Sequence, residues 1–254
     1  MTAVLAGRRI VVVGASAGIG RAIAVRVVRS GAEVALVARR LDRLAEVAAE
    51  AGGGTPVRAD VRDESDCTDA MRQSGETLGG IDVLCFCAGT APLATLANTD
   101  DSAWRNVLET NVIGANHVIR AAQPFLAPSA VVMVLSSELT MQARTGLGAY
   151  GASKAALRAS LATWRLESPG PRFCCVTVGS TVPTEFGDAF DRDLLGPVLD
   201  DWVRRGLVQE QMMSTDDVAS VLVSTISTLL DHPDVGMEEL VLRSPSAVAG
   251  TGGL

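Results

Sequence analysis

Short runs of apolar, often β-branched residues alternate along the chain with longer stretches whose apolar positions recur every three to four residues. The first pattern suits strands buried on both faces, the second suits helices that bury one side. Read in order, the chain predicts strands at 9–13, 33–38, 56–59, 81–87, 130–136, 172–178 and 239–242. Helices are predicted at 19–30, 41–51, 64–77, 147–166 and 216–230, with a long helix inside 101–124 and irregular helices between 178 and 213. Strands this apolar imply a parallel sheet covered by helices. Regular alternation with right-handed crossovers then makes this an α/β protein with a doubly wound parallel sheet.

No linker or shift in composition divides the chain, so residues 1–243 read as one domain. The tail 244–254 is rich in Gly, Ser and Ala and is expected to be loosely ordered or to pack on a partner subunit.

The first predicted strand runs into Gly14-Ala15-Ser16-Ala17-Gly18-Ile19-Gly20, and a helix follows. Glycines at this point let backbone N–H groups approach a diphosphate, and the helix N-terminus adds a partial positive charge. The alternative for such a run is a plain tight turn. Its place after a first strand and before a helix favours nucleotide binding. The second strand ends in Val37-Ala38-Arg39-Arg40. An acidic residue here suits the free ribose of NAD, whereas guanidinium groups suit a 2′-phosphate. NADP(H) is therefore expected over NAD(H), with Arg39 on the phosphate and Ser16 assisting. One of the two arginines could instead cap the next helix.

The sole tyrosine and the sole lysine, Tyr150 and Lys154, are four residues apart. On a helix that spacing stacks them on one face. A free phenol titrates near ~10, a poor match for neutral proton transfer. A cation at ~4 Å and an effective dielectric of ~20 contributes about 4 kcal/mol, on the order of three pKa units, towards the phenolate. The alternative is a packed tyrosine beside a snorkelling lysine stem.

Composition narrows the choices further. Of the 254 residues 48% are hydrophobic, enough for one large core, and the net charge of -7 argues against nucleic acid or an anionic membrane as the main partner. No apolar run approaches the ~20 residues that span a bilayer, and the first apolar run leads into glycines, as a strand does and a signal peptide does not. The five cysteines show neither zinc-ligand spacing nor a disulfide framework, so reduced thiols in a cytoplasmic protein are expected, with no metal. His117 and His232 lie near no candidate nucleophile and receive no role.

Together, the glycine turn and Tyr150-x-x-x-Lys154 resemble the two defining motifs of the short-chain dehydrogenase/reductase family, and the likeness runs along nearly the whole chain. It implies a Rossmann fold and an NADP-dependent oxidoreductase. Gly14, Ser16, Gly18, Ile19 and Gly20 match the cofactor turn, and Asp60-Val61 resembles the pair that binds adenine. Ala88 and Gly89 match the close approach to the cofactor ribose. Asn111 is similar to the helix asparagine of the catalytic tetrad, and Ser137, 13 residues before Tyr150, to its serine, with Ser136 as a structural neighbour. Two segments depart from the family. Phe86-Cys87-Ala88-Gly89 stands where Asn-Asn-Ala-Gly is usual, so altered local packing is expected. Gly179-Ser180 aligns with the usual Pro-Gly, which puts Val182 and Thr184 in the cofactor-contacting frame.

The resemblance implies hydride transfer between a nicotinamide and a carbonyl or alcohol carbon of a small molecule. Tyr150 is the acid/base, Lys154 lowers its pKa and bonds the nicotinamide ribose, Ser137 holds the substrate oxygen, and Asn111 holds a relay water. Carbonyl reduction is the favoured direction, and a homodimer or homotetramer built on the helices around 101–124 and 147–166 is expected by family habit. Residues 185–213 mix acids with Phe186, Phe190, Leu194, Leu195, Trp202, Met212 and Met213. They read either as a lid over an uncharged substrate or as a solvated helix pair packed on the sheet. Two other functions compete. One is a catalytically silent NADP(H) sensor, which the two departures favour. The other is a sugar-nucleotide epimerase or dehydratase, which the short chain disfavours.

Overall fold

Alternate residues of each apolar run bury on opposite faces, and this divides the core into two layers. The structure is a computed structural model that describes residues 4–188 and 190–248. Its strands are β1 (Arg9–Val13), β2 (Glu33–Ala38), β3 (Thr55–Arg58), β4 (Ile81–Phe86), β5 (Leu126–Ser137), β6 (Arg172–Val178), the two-residue β7 (Thr181–Val182) and β8 (Met213–Ser214), and β9 (Glu239–Leu242). Between them lie α1 (Gly18–Arg29), α2 (Leu41–Ala51), α3 (Glu64–Leu78), α4 (Asp101–Leu108), α5 (Gly114–Ala122), α6 (Gly148–Glu167), α7 (Arg192–Arg204) and α8 (Thr215–Asp231).

Among the described residues, seven strands form one parallel sheet in the order β3-β2-β1-β4-β5-β6-β9. One face carries Ile10, Val12, Cys85, Met133 and Val176, packed on α1, α2 and α8. The other carries Val11, Val13, Phe86, Val134 and Cys175, packed on α3, α5 and α6. The expected doubly wound α/β fold is the one observed. Local signals set many of the boundaries. Asp63 caps α3 by accepting from the Asp66 amide at 3.0 Å, and Gly79 ends that helix in the left-handed conformation. The strand order reverses between β1 and β4, so a crevice opens at the carboxyl ends of these two strands.

Three elements differ from expectation. The helix inside 101–124 is interrupted by a π-helical turn, Glu109–Ile113, between α4 and α5. The turn centres on Asn111, whose side chain bonds outside the helix. The fifth strand starts earlier, at Leu126. The residues between 178 and 213 form a closed excursion, because β7 pairs in parallel with β8. Residues 246–248 fold back on 209–211, with the Glu210 amide donating to Ala247 O at 2.9 Å. The remainder of the tail, 249–254, lies outside the described residues. Among the described residues no helix is long and apolar enough to cross a membrane.

Candidate active site

The glycine turn closes tightly at the end of β1. Gly14 has φ 84°, and a β-carbon added to it would lie 2.6 Å from the Ala88 nitrogen. One added to Gly20 would lie 2.2 Å from the Gly14 carbonyl oxygen. Neither position admits a side chain. Ala17, the N-cap of α1, makes no side-chain capping bond, and Ile19 lies in the first turn of that helix. The Gly14 and Ala15 amides donate to Val37 O at 2.8 and 3.2 Å, so the donors for an anion are the N–H groups further along, at the N-terminus of α1. This cradle fits the diphosphate of a dinucleotide.

Around it stand the other predicted cofactor residues. Ser16 Oγ accepts from Arg40 Nη2 at 3.2 Å, and the same nitrogen lies 2.6 Å from Glu185 Oε2. Arg39 is exposed. The Asp60 carboxyl is held below its usual range, first by hydrogen bonds from Arg62 and to a smaller extent by the charge of Arg39. Val61, buried beside it, places its carbonyl oxygen 3.3 Å from His117 Nδ1. Gly89 lies between Asn111 and Lys154. A β-carbon on it would be 3.4 Å from Asn111 Oδ1 and 3.5 Å from Lys154 Nζ.

Tyr150 and Lys154 share one face of α6, and both are buried. Lys154 Nζ lies 5.8 Å from the centre of the Tyr150 ring and donates to Leu135 O at 2.8 Å. Burial lowers the Lys154 ammonium to about 8. Burial also raises the Tyr150 phenol to about 12, and hydrogen bonding with Ser137 pulls the other way. The expected lowering by Lys154 is therefore not met in this state. The ammonium is engaged with Leu135 O, and apolar side chains cover the phenol. Ser137 is the serine brought to Tyr150, while Ser136, one residue earlier on the strand, is turned to Cys175. Asn111 is fully buried. Its amide donates to Thr90 O and Ser153 Oγ, each at 2.9 Å, and its oxygen accepts from the Thr90 amide at 2.8 Å.

Both unusual segments are absorbed by the packing. Phe86 is buried between Val13 and Val134, and β4 keeps its register through it. Cys87 faces the turn, with its β-carbon 3.1 Å from a β-carbon built at Gly20, and burial raises its thiol to about 12. The Gly179 amide donates to Leu242 O at 2.9 Å. Ser180 joins a cluster that sequence reasoning missed. Glu138, buried directly after Ser137, pairs with the buried Arg144 and with Arg243 Nε at 3.1 Å. Arg144 Nη1 donates to Ser180 Oγ at 3.2 Å. No sequence signal marks these partners, because they come from three separate segments: the β5–α6 connection, the residues after β6 and those after β9.

Thr184 overhangs the glycine turn, 3.6 Å from a β-carbon built at Gly18, while Val182 is exposed. Two residues on, the Phe186 ring meets Tyr150 edge-on. Val198 and Trp202 of α7 bury with Tyr150, Leu93 and Leu147, and Trp202 Nε1 donates to Thr145 O at 2.8 Å.

The family model for short chain dehydrogenase matches residues 8–193. The chain belongs to this oxidoreductase family. It is 31% identical over 247 residues to the glycine betaine reductase ATRR of Emericella nidulans, a match that covers 94% of this chain but 19% of that protein. Among solved structures it resembles an alcohol dehydrogenase from the archaeon Thermococcus sibiricus complexed with 5-hydroxy-NADP, with TM-score 0.79 and 27% identity over 94% of this chain and 97% of that one. A short chain dehydrogenase from Burkholderia cenocepacia J2315 in complex with NADP gives TM-score 0.79 and 26% identity, again over 94% and 97%.

Proposed function

We propose that this protein is an NADP(H)-dependent oxidoreductase that interconverts a carbonyl and an alcohol on a small uncharged molecule, with Tyr150 as the acid/base. The observation that carries this reading is the convergence of Ser137, Tyr150 and Lys154 beside Gly89, at the crevice that the glycine turn lines. A bound nicotinamide dinucleotide supplies the hydride donor or acceptor. Tyr150 gives its proton to the substrate oxygen in reduction and takes it back in oxidation. Ser137 holds that oxygen in place. Lys154 supplies the cation that stabilises the phenolate once the site rearranges to receive ligands. Asn111 Oδ1 accepts from the Thr90 amide with one lone pair, and the second is the one to hold a relay water beside Lys154.

For the cofactor, Gly14, Gly18, Ile19 and Gly20 take the diphosphate, Asp60 and Val61 the adenine, and Ala88, Gly89 and Lys154 the ribose on the nicotinamide side. Val182 and Thr184 flank the nicotinamide, and Arg39 with Ser16 takes the 2′-phosphate. The two NADP-type complexes among its structural relatives support this preference. The apolar cover of Phe186, Phe190 and Trp202 supports residues 185–213 as a lid for an uncharged substrate. We further propose a cytoplasmic homodimer or homotetramer. Tyr150→Phe tests the central claim. Turnover on a carbonyl panel should vanish while NADPH affinity stays within about two-fold. Substantial turnover by that variant would remove Tyr150 from the proton step.

A further inference from the structure

Arg40 stands at the N-cap of α2, where its guanidinium, a donor only, cannot cap the helix amides. Its Nη2 turns to Ser16 Oγ at 3.2 Å and to Glu185 Oε2 at 2.6 Å. Three separate parts of the site meet at this guanidinium: the glycine turn after β1, the end of the β2 loop, and the segment after β7. Glu185 is 145 residues from Arg40 in the chain. Its two neighbours also touch the site. Thr184 overhangs Gly18, and Phe186 lies against the acid/base Tyr150.

We propose that Glu185 is a cofactor-specificity residue: it holds Arg40 while the 2′-phosphate subsite is free and yields it when the phosphate binds. The inference rests on the NADP(H) reading above, and it adds Arg40 to the subsite already given to Arg39 and Ser16. Its physical basis is competition between two anions for one guanidinium. The side chains of Arg40 and Glu185 are 45% and 46% exposed. So exposed a pair is weak, and losing it changes an affinity by no more than about five-fold. A 2′-phosphate carries more charge than one carboxylate and can accept two parallel N–H bonds from the guanidinium fork, so it wins the exchange. A ribose 2′-hydroxyl has no charge with which to compete, so NADH leaves the pair intact. Glu185 therefore weakens NADPH binding selectively, and its release loosens the segment that covers Tyr150 only when the phosphate is present.

Fluorescence titrations of the purified protein with NADPH and with NADH test this, using wild type, Glu185→Gln and Arg40→Gln. Both positions are half exposed, so the fold should tolerate either change, and circular dichroism checks that it does. Glu185→Gln should bind NADPH about two- to five-fold tighter, with NADH changed less than about two-fold. Arg40→Gln should weaken NADPH about ten-fold and spare NADH. A Glu185→Gln protein with unchanged NADPH affinity, or with both cofactors shifted equally, overturns the role of Glu185 even if wild type prefers NADPH. Wild type that binds NADH as tightly as NADPH overturns the cofactor reading beneath it, a result recognisable before any variant is made.

Discussion

The Phe186 ring presents its edge to Tyr150, with centroids 5.0 Å apart and planes inclined at 62°. Phe190 continues the apolar cover at 5.4 Å from Phe186. Tyr150, the proposed acid/base, is thus covered on this side by the segment that also carries Glu185. Burial dominates its titration, and the phenol is raised to about 12.

That gives a first prediction. Tyr150 is the only tyrosine, so an ultraviolet titration of phenolate reads this residue alone. The cofactor-free protein should show no phenolate until the pH approaches about 12. Phe186→Ala admits water and should move the midpoint down towards ~10. An unmoved midpoint in that variant would show that Phe186 is not the shield.

Lys154 titrates in the opposite sense. Burial depresses it from 10.5 to about 8 in the folded chain. Between those two values the unfolded chain holds more protons than the folded one, so stability rises with pH across this window. The gain is fully present above the unfolded value and is lost as pH falls through about 8. It is on the order of 3 kcal/mol. Urea unfolding should show this rise in wild type between pH 8 and 10.5 and not in Lys154→Met. Equal slopes in the two proteins would remove Lys154 as its source.

Glu138 sits between Arg144 and Arg243 directly after Ser137. Glu138→Gln leaves the buried Arg144 without its carboxylate, and the expected loss is about 3 kcal/mol. Arg144→Met in addition should restore part of it, because the stranded charge is then gone. Denaturant melts of Glu138→Gln, Arg144→Met and the double variant check this, and an additive double variant would argue against coupling.

Asn111→Ala strands both the N–H and the C=O of Thr90, which its side chain holds at 2.8 and 2.9 Å. A cost of about 2–4 kcal/mol is expected. Hydrogen exchange should rise first at Thr90 and around the π-helical turn. Exchange that rises evenly over the whole chain would show that the clamp is not local.

The sheet, its helices and the glycine turn were legible because each is encoded over a few neighbouring residues. Apolar alternation places a strand, and a glycine run before a helix places the diphosphate cradle. Tyr150 and Lys154 were legible for the same reason, since four residues on a helix fix their shared face. The π-helical turn was not, because its helical pattern is unbroken and its cause is the bonding of Asn111 to Thr90 and Ser153, 21 and 42 residues away.

By itself, then, the sequence determined the fold class, the family and which residues are available for proton transfer and dinucleotide binding. Only the tertiary structure decided which arginine meets Ser16, what covers Tyr150 and in which direction its pKa moves. Those outcomes depend on desolvation and on long-range pairs such as Arg40 with Glu185 and Glu138 with Arg243. Burial and charge pairing are properties of assembled surfaces, and no short stretch of sequence contains them.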